Sequence, residues 1–308
     1  MAEVLQLHRP WLIAVWPGMG HVALNAGVYL LAKLGMNVIA EFEATELFDV
    51  DHVEVKKGII QPGRRPRNRL FMWSDPRKNH DLVVFLGEAQ PPIGKYAFCR
   101  QLITHARQLG VERIFTFAAM ATQMHPTHRS RLFCAATDER TLQELKHLKL
   151  EVLDDGQIGG LNGILLGAAR EEKLRGACLL GEMPQIFSQL PFPKASLAIL
   201  EVFKTMAHIE LDLTTLSEQA HSMEEQLGDL LSRVEQTYTQ QEQTEEEASA
   251  PEPVEEDRLT AADQTRIDRL FEQAGSDRSK AFELKQELDR LGVFKEYEDR
   301  FLDLFKRM

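Results

Sequence analysis

The sequence predicts an α/β domain with a mostly parallel sheet covered by helices on both faces. Three observations lead there. Short apolar runs alternate with helix-period segments through roughly the first two hundred residues, the pattern of strands buried beneath crossover helices. The first apolar run passes through a tight glycine turn straight into a helix. No helix-length segment separates His52–Ile60 from Arg69–Trp73, so an antiparallel excursion interrupts the parallel series.

The elements follow in order. Trp11–Trp16 reads as the first strand, Pro17-Gly18-Met19-Gly20 as its turn and His21–Leu34 as the helix. Gly18, Gly20 and Ala23 satisfy the G-x-G-x-x-A spacing of a dinucleotide fingerprint. Met36–Phe42 reads as the second strand, with Glu41 or Glu43 where a ribose-binding acid would stand. The rest of the chain supplies neither a hydride-transfer acid/base set nor a second substrate domain. The glycines are therefore read as a tight first turn that shapes a cleft wall, and no cofactor is expected.

Between the excursion strands lie Arg64, Arg65, Arg67 and Arg69. They suit either a solvated turn or a grip on phosphates or an acidic partner. The strand Leu82–Leu86 leads into Gly87-Glu88-Ala89-Gln90-Pro91-Pro92, at the sheet edge where open α/β folds hold ligands. Glu88 is the best-placed carboxylate, but no second acid pairs with it for acid–base work; capping the neighbouring helix is its structural alternative. After the helix Lys95–Leu109 and the strand Arg113–Ala118 comes His125-Pro126-Thr127-His128, which Pro126 places in a loop. Two histidines without a further ligand do not make a metal site, so His128 is expected to hydrogen-bond at the strand-end cleft.

Leu132–Ala136 and Glu139–Leu148 read as a strand and a helix. Gly156 to Gly163 then forms a loop opening the helix Leu161–Glu172, in which Gly160, Gly163 and Gly167 make a smooth stripe. Close helix–sheet packing and a ligand-facing loop are both open to it. Ala177–Leu180 and Lys194–Ile209 complete the alternation. The candidate ligand cleft is Gly18, Gly20, His21, Glu88, Gln90, His128, Gly159, Gly160 and Asn162.

A new signal begins at Leu213. Leu213, Leu216, Ala220, Met223, Leu227, Leu230 and Val234 recur at alternating spacings of three and four, a narrow heptad seam that suits a partner helix from another copy. The alternative is docking on its own domain. From Glu242 to Asp257 eight acids occur without a base, the composition of a self-repelling flexible linker. Three short helices follow, carrying Ile267, Leu270 and Phe271, then Phe282, Leu284, Leu288 and Leu291, then Tyr297, Phe301, Leu304 and Phe305. The expected division is 1–211 for the core, 212–240 for the heptad helix, 241–258 for the linker and 259–308 for the helical segment.

Composition excludes several classes. The formal charge of −11 argues against a nucleic-acid surface. No apolar run approaches the ~18 residues a membrane helix needs, and no secretory signal is visible, so a cytoplasmic protein is expected. Cys99, Cys134 and Cys178 are too few and too scattered for a disulfide framework or a zinc knuckle. Neither G-x-S-x-G nor a Walker lysine is present.

The order of several segments resembles the proteasome assembly chaperone family. They are Pro17-Gly18-Met19-Gly20 with Ala23, Arg69-Leu70-Phe71-Met72-Trp73, Gly87-Glu88-Ala89-Gln90-Pro91, Phe98-Cys99, Thr127-His128-Arg129, Gly159/Gly160/Gly163, Pro184 and Pro193-Lys194-Ala195-Ser196. The resemblance spans roughly residues 10 to 235. It implies a three-layer α/β/α sandwich with a mostly parallel mixed sheet, similar to nucleoside phosphorylases. It also implies homo-oligomers, trimers foremost, and binding of a protein client such as a proteasome-like complex rather than turnover. Members that dock on proteasome rings can end in a hydrophobic–tyrosine–any tripeptide; this sequence ends Lys306-Arg307-Met308, and docking by that route is not expected. The alternative function is a nucleotide-, nucleoside- or phosphate-binding protein or enzyme using the strand-end cleft.

Overall fold

Strand β1 (Trp11–Val15) is buried along its whole length, and its alternate side chains divide between two cores. Trp11, Ile13 and Val15 enter one; Leu12 and Ala14, followed by Trp16, enter the other. That period of two is what a sheet covered on both faces requires. In the computed structural model, residues 6–50, 52–248, 261–276 and 280–304 are described. The chain divides into two units, Met1–Gln236 and Thr237–Met308.

In the first unit β1 is followed by α1 (Val22–Lys33), β2 (Asn37–Glu41), β3 (Glu54–Lys56), β4 (Ile59–Gln61), β5 (Asn68–Trp73) and β6 (Leu82–Gly87). Next come α2 (Lys95–Gln108), β7 (Arg113–Thr122), β8 (Leu132–Ala136), α3 (Glu139–His147), β9 (Glu151–Val152), α4 (Gly160–Glu171), β10 (Arg175–Pro184) and α5 (Pro193–Met206). Eight strands form one sheet in the order β2-β5-β6-β1-β7-β10-β8-β9. Its centre, β6-β1-β7-β10, is parallel, and β5, β2 and β8 add antiparallel flanks. Helices α2 and α4 cover one face through Phe98, Leu102, Leu161 and Leu165. Helices α1 and α5 cover the other through Ala26, Leu30, Ile199 and Phe203. The three-layer α/β/α sandwich with a mostly parallel mixed sheet is therefore the observed architecture.

Local chemistry sets the helix starts. The Asp138 carboxylate accepts the Thr141 backbone N–H at 2.9 Å and so caps α3, while Pro193 stands in the first turn of α5, where its missing donor costs nothing.

Two expectations are corrected. His52–Ile60 is not a single strand. Lys57 (φ 53°) and Gly58 (φ 79°) turn the chain left-handed, so β3 and β4 pair with each other as a separate hairpin. Gly160, Gly163 and Gly167 do not form a stripe against the sheet. A Cβ at Gly163 would stand 1.9 Å from the Ile158 carbonyl oxygen of its own loop, whereas Gly167 has nothing within 4 Å.

Helix α6 (Thr214–Ala248) begins in the first unit, and its seam docks at home. Leu213 (9% exposed), Leu216 (2%), Ala220 (4%) and Leu227 (3%) are buried, with Leu213, Leu216 and Leu227 in the core that α1 and α5 share and Met223 packed against it. Tyr29 Oη donates to the Asp212 carbonyl at 3.1 Å, and Lys194 Nζ meets Glu224 at 2.9 Å. The expected partner helix is thus consumed within the chain up to Leu227. Leu230 remains exposed, at 43%, and the side chain of Val234 lies outside the described residues. α6 also continues to Ala248, into the stretch expected to be a linker; the remainder of that stretch lies outside the described residues.

In the second unit α7 (Ala261–Ser276), α8 (Ala281–Arg290) and α9 (Phe294–Asp303) gather Ile267, Phe271, Leu284, Leu288 and Phe301 into a small core. Phe305, expected in its third helix, lies outside the described residues.

Candidate functional site

The two glycine segments meet at the C-terminal edge of the parallel strands. Gln90, three residues beyond β6, joins them. Its Nε2 donates to the Pro17 carbonyl at 3.2 Å, and its Oε1 accepts the Leu161 backbone N–H at 3.1 Å. One amide thus caps α4 and ties it to the turn after β1.

Beside this clamp lies a cavity of about 430 Å³ lined by Gly18, Met19, Ala23, Gln90, Ala118–Ala121, Gln157–Gly160, Asn162 and Leu180. Its walls are backbone, apolar side chains from alanine to methionine and three carboxamides. No acid, base, hydroxyl or thiol side chain is among them. Asn162 Oδ1 is enclosed and has no hydrogen-bond partner among the described residues.

Of the expected cleft, the structure brings together Gly18, Gln90, Gly159, Gly160 and Asn162 and separates the rest. Gly20 is buried in the turn: it has φ 58°, its N–H donates to the Ser188 carbonyl at 2.9 Å, and a Cβ there would stand 2.7 Å from Met183 Sδ. His21, left-handed at φ 51°, precedes α1 as an exposed residue.

Glu88 faces the excursion instead of the cavity. It accepts from Arg69 at 2.7 Å and Arg64 at 3.2 Å, and from the Arg67 backbone N–H at 3.0 Å. The register Asn68 opposite Gly87 puts the arginines next to it, and it caps no helix. Arg65 donates to the Phe48 carbonyl and Arg67 to Glu41. The arginine cluster is therefore matched by internal acceptors, which weakens the phosphate-grip reading.

His128 lies in a second depression of about 460 Å³ with Thr122, Gln123, Met124, Arg129, Arg131 and Glu182. β7 and β10 each run to ten residues, longer than read from the sequence, and carry the His128 loop beyond the first cavity. Glu182 is 2% exposed. Arg131 holds it by two nitrogens at 2.6 and 2.9 Å, and Thr122 Oγ1 donates at 2.7 Å. Arg131 above all, aided by Thr122, keeps this carboxyl below its ordinary range. Glu182 and the Ala118–Ala121 wall were absent from the sequence-derived site; a single acid inside an apolar strand was the available signal for Glu182.

The three thiols are buried and protonated. Burial pushes Cys99 and Cys178 up to about 12 and Cys134 to about 11, so none is a ready nucleophile. Among the described residues no three metal-ligating side chains converge, and no helix is long and apolar enough to cross a membrane.

Comparison with known proteins places this architecture. Residues 12–231 match the model of the PAC2 family. An uncharacterised protein of Methanocaldococcus jannaschii is 28% identical over 236 residues, covering 72% of this chain and 83% of that one. Among solved structures, Pyrococcus furiosus PbaB, an archaeal proteasome activator, superposes with a TM-score of 0.62 at 24% identity, over 74% of this chain and 94% of its own. A proteasome-assembly chaperone homologue from Mycobacterium tuberculosis gives 0.62 at 20% identity, over 71% and 94%. At these identities the solved structures establish a shared fold.

Proposed function

This chain belongs to the PAC2 family, and we propose that it is a chaperone-like assembly factor that binds a protein client without chemically altering it. The client class is a proteasome-like complex, the class named for its structural relatives. The protein acts in the cytoplasm as a homo-oligomer, with a trimer as the first expectation. The α/β core carries the client site, and the C-terminal helices form a separate accessory unit.

One observation carries this reading: the cavity joining the two glycine segments has no titratable or nucleophilic side chain on its walls. General acid–base and covalent catalysis both need such a group within hydrogen-bond reach of the reacting atom. Backbone amides, carboxamides and apolar side chains instead suit recognition of a peptide segment by shape and hydrogen bonding.

The test mixes the purified full chain with the proteasome core particle of its source, or with that particle's free subunits. A stoichiometric complex is expected on size exclusion, and Gly18→Leu is expected to abolish it. Absence of any complex would overturn the proposal.

A second reading, a nucleotide, nucleoside or phosphate site, has the position of the cavity at the strand-end edge in its favour. The absence of a cation from the lining counts against a phosphate. Saturable thermal stabilisation by nucleosides, nucleotides or inorganic phosphate, lost in Gly18→Leu, would establish it in place of the first.

A further inference from the structure

Two surfaces of the first unit stand exposed among the described residues, and they belong to opposite ends of its sheet. The β3–β4 hairpin lies in sequence between β2 and β5, the two strands at one end. Its Val55, Ile59 and Ile60 are 63%, 64% and 68% exposed. The register sets Val55 opposite Ile60 and Lys56 opposite Ile59, so Val55 and Ile60 share one face of the ribbon and Ile59 lies on the other. Lys57 stands beside them at the turn, and Lys56, on the Ile59 side of the ribbon, is held at 3.0 Å by Glu54, a pair it would exchange on docking. A two-stranded ribbon of this length is marginal alone, and clustered exposed aliphatics mark an association surface.

At the other end, β9 pairs with Phe133 and Cys134 of β8 and with no other strand among the described residues. Beyond it a groove of about 390 Å³ runs between the β8 edge and α4, lined by Ala135, Leu153, Asp154, Asp155, Gly163 and Gly167 among others. Gly167 leaves open space above the helix. The groove's one base, Arg170, is turned to the Thr137 carbonyl at 3.0 Å. Asp154 and Asp155 are exposed, and no counter-charge is paired with them among the described residues.

We propose that the β3–β4 hairpin of one copy of this chain docks in the β8–α4 groove of a second copy, with Lys56 and Lys57 facing Asp154 and Asp155. The two surfaces agree in shape class, a projection and a groove with a mixed polar and apolar lining, and are opposite in charge. Eight strands at ~4.8 Å spacing separate the sheet ends by on the order of 30 Å, so a chain does not satisfy its own groove. The contact is head-to-tail, and such contacts close into a ring when the rotation permits. With the α6 seam buried on its own domain, this surface takes over the self-association that the seam was expected to supply. The inference rests on the proposed self-association and is independent of the client.

Sedimentation velocity on the full chain at tens of micromolar tests it, with circular dichroism as the folding control. Wild type is expected to be oligomeric. Lys56→Glu with Lys57→Glu, and separately Asp154→Lys with Asp155→Lys, are expected to be folded monomers. The chain carrying all four substitutions is expected to reassemble, because the charges again match. A monomeric wild type would overturn self-association itself. Double variants that assemble like wild type, or a fourfold variant that stays monomeric, would overturn this surface while leaving self-association standing.

Discussion

Gln90 reaches from the end of β6 to the first turn of α4, where its Oε1 accepts the Leu161 backbone N–H at 3.1 Å. The same oxygen lies 2.8 Å from where a Cβ on Gly160 would stand, and Gly160 has φ 65°. The glycine and the carboxamide are thus fitted to each other. Gln90→Ala removes a helix cap and is expected to cost about 0.5–2 kcal/mol. Gly160→Ala adds left-handed strain to the clash, for about 1–3 kcal/mol. Urea denaturation measures both; a neutral Gly160→Ala would mean that the clamp is not formed.

Gly18 offers the complementary probe. Its backbone is extended, at φ −167°, and nothing lies within 4 Å of its would-be Cβ. Gly18→Leu is therefore expected to occupy the cavity while leaving the melting temperature within a few degrees of wild type, consistent with an open-site change within ±0.5 kcal/mol. A large loss of stability would show that the space is not open.

The docking of α6 predicts a contrast along one seam. Leu216→Ala, at a site 2% exposed, is expected to destabilise the first unit by about 2–5 kcal/mol. Leu230→Ala, at a site 43% exposed, is expected to stay within about 0.5 kcal/mol. Equal effects in chemical denaturation would mean that the seam is used elsewhere.

Acid is expected to destabilise the first unit in two stages. His80 stacks on Trp11 with ring centroids 3.9 Å apart, and burial holds it below its ordinary 6.5. The unfolded chain therefore takes up that proton first, and stability falls as pH drops below about 6.5 towards the depressed native value. Glu182, held down by Arg131, adds a second loss as pH falls below about 4.3, the ordinary value for glutamate. Stability measured from pH 8 to pH 3 should show both slopes, and His80→Phe should reduce only the upper one, to which His105, also held down by burial, contributes the remainder. An unchanged upper slope in that variant would exclude His80 as a source of it.

The cysteines provide a kinetic check. With Cys99, Cys134 and Cys178 all buried, iodoacetamide at pH 8 should label none of them until the chain unfolds. Rapid modification of any one in native buffer would reveal local opening there.

Much of the fold was legible because it rests on local pattern. The run Trp11–Trp16 is apolar at every position because both sheet faces are covered, and the heptad seam marked α6 as a helix. The hairpin at Glu54–Gln61 was missed because its turn, Lys57-Gly58, lies inside a stretch with strand-like composition. The candidate site was only half legible. Gly18, Gln90, Gly159, Gly160 and Asn162 converge because β1, β6 and the α4 loop end at the same sheet edge. Glu88 does not join them, since antiparallel β5 brings Arg69 within 2.7 Å of it. No local pattern in the sequence contains that pairing.

The sequence by itself determined the alternating α/β class, the glycine turns and a helix with a 3-4 apolar repeat, because each depends on residues near one another in the chain. Only the tertiary structure decided which partner each surface takes. Leu216 and Leu227 have the spacing of an intermolecular seam, yet α1 and α5 already present a core surface that covers them. Burial there removes the same apolar area from water as a second chain would, without the loss of translational and rotational freedom that association costs. That difference assigned the seam to the chain's own core and left the hairpin and the β8–α4 groove exposed.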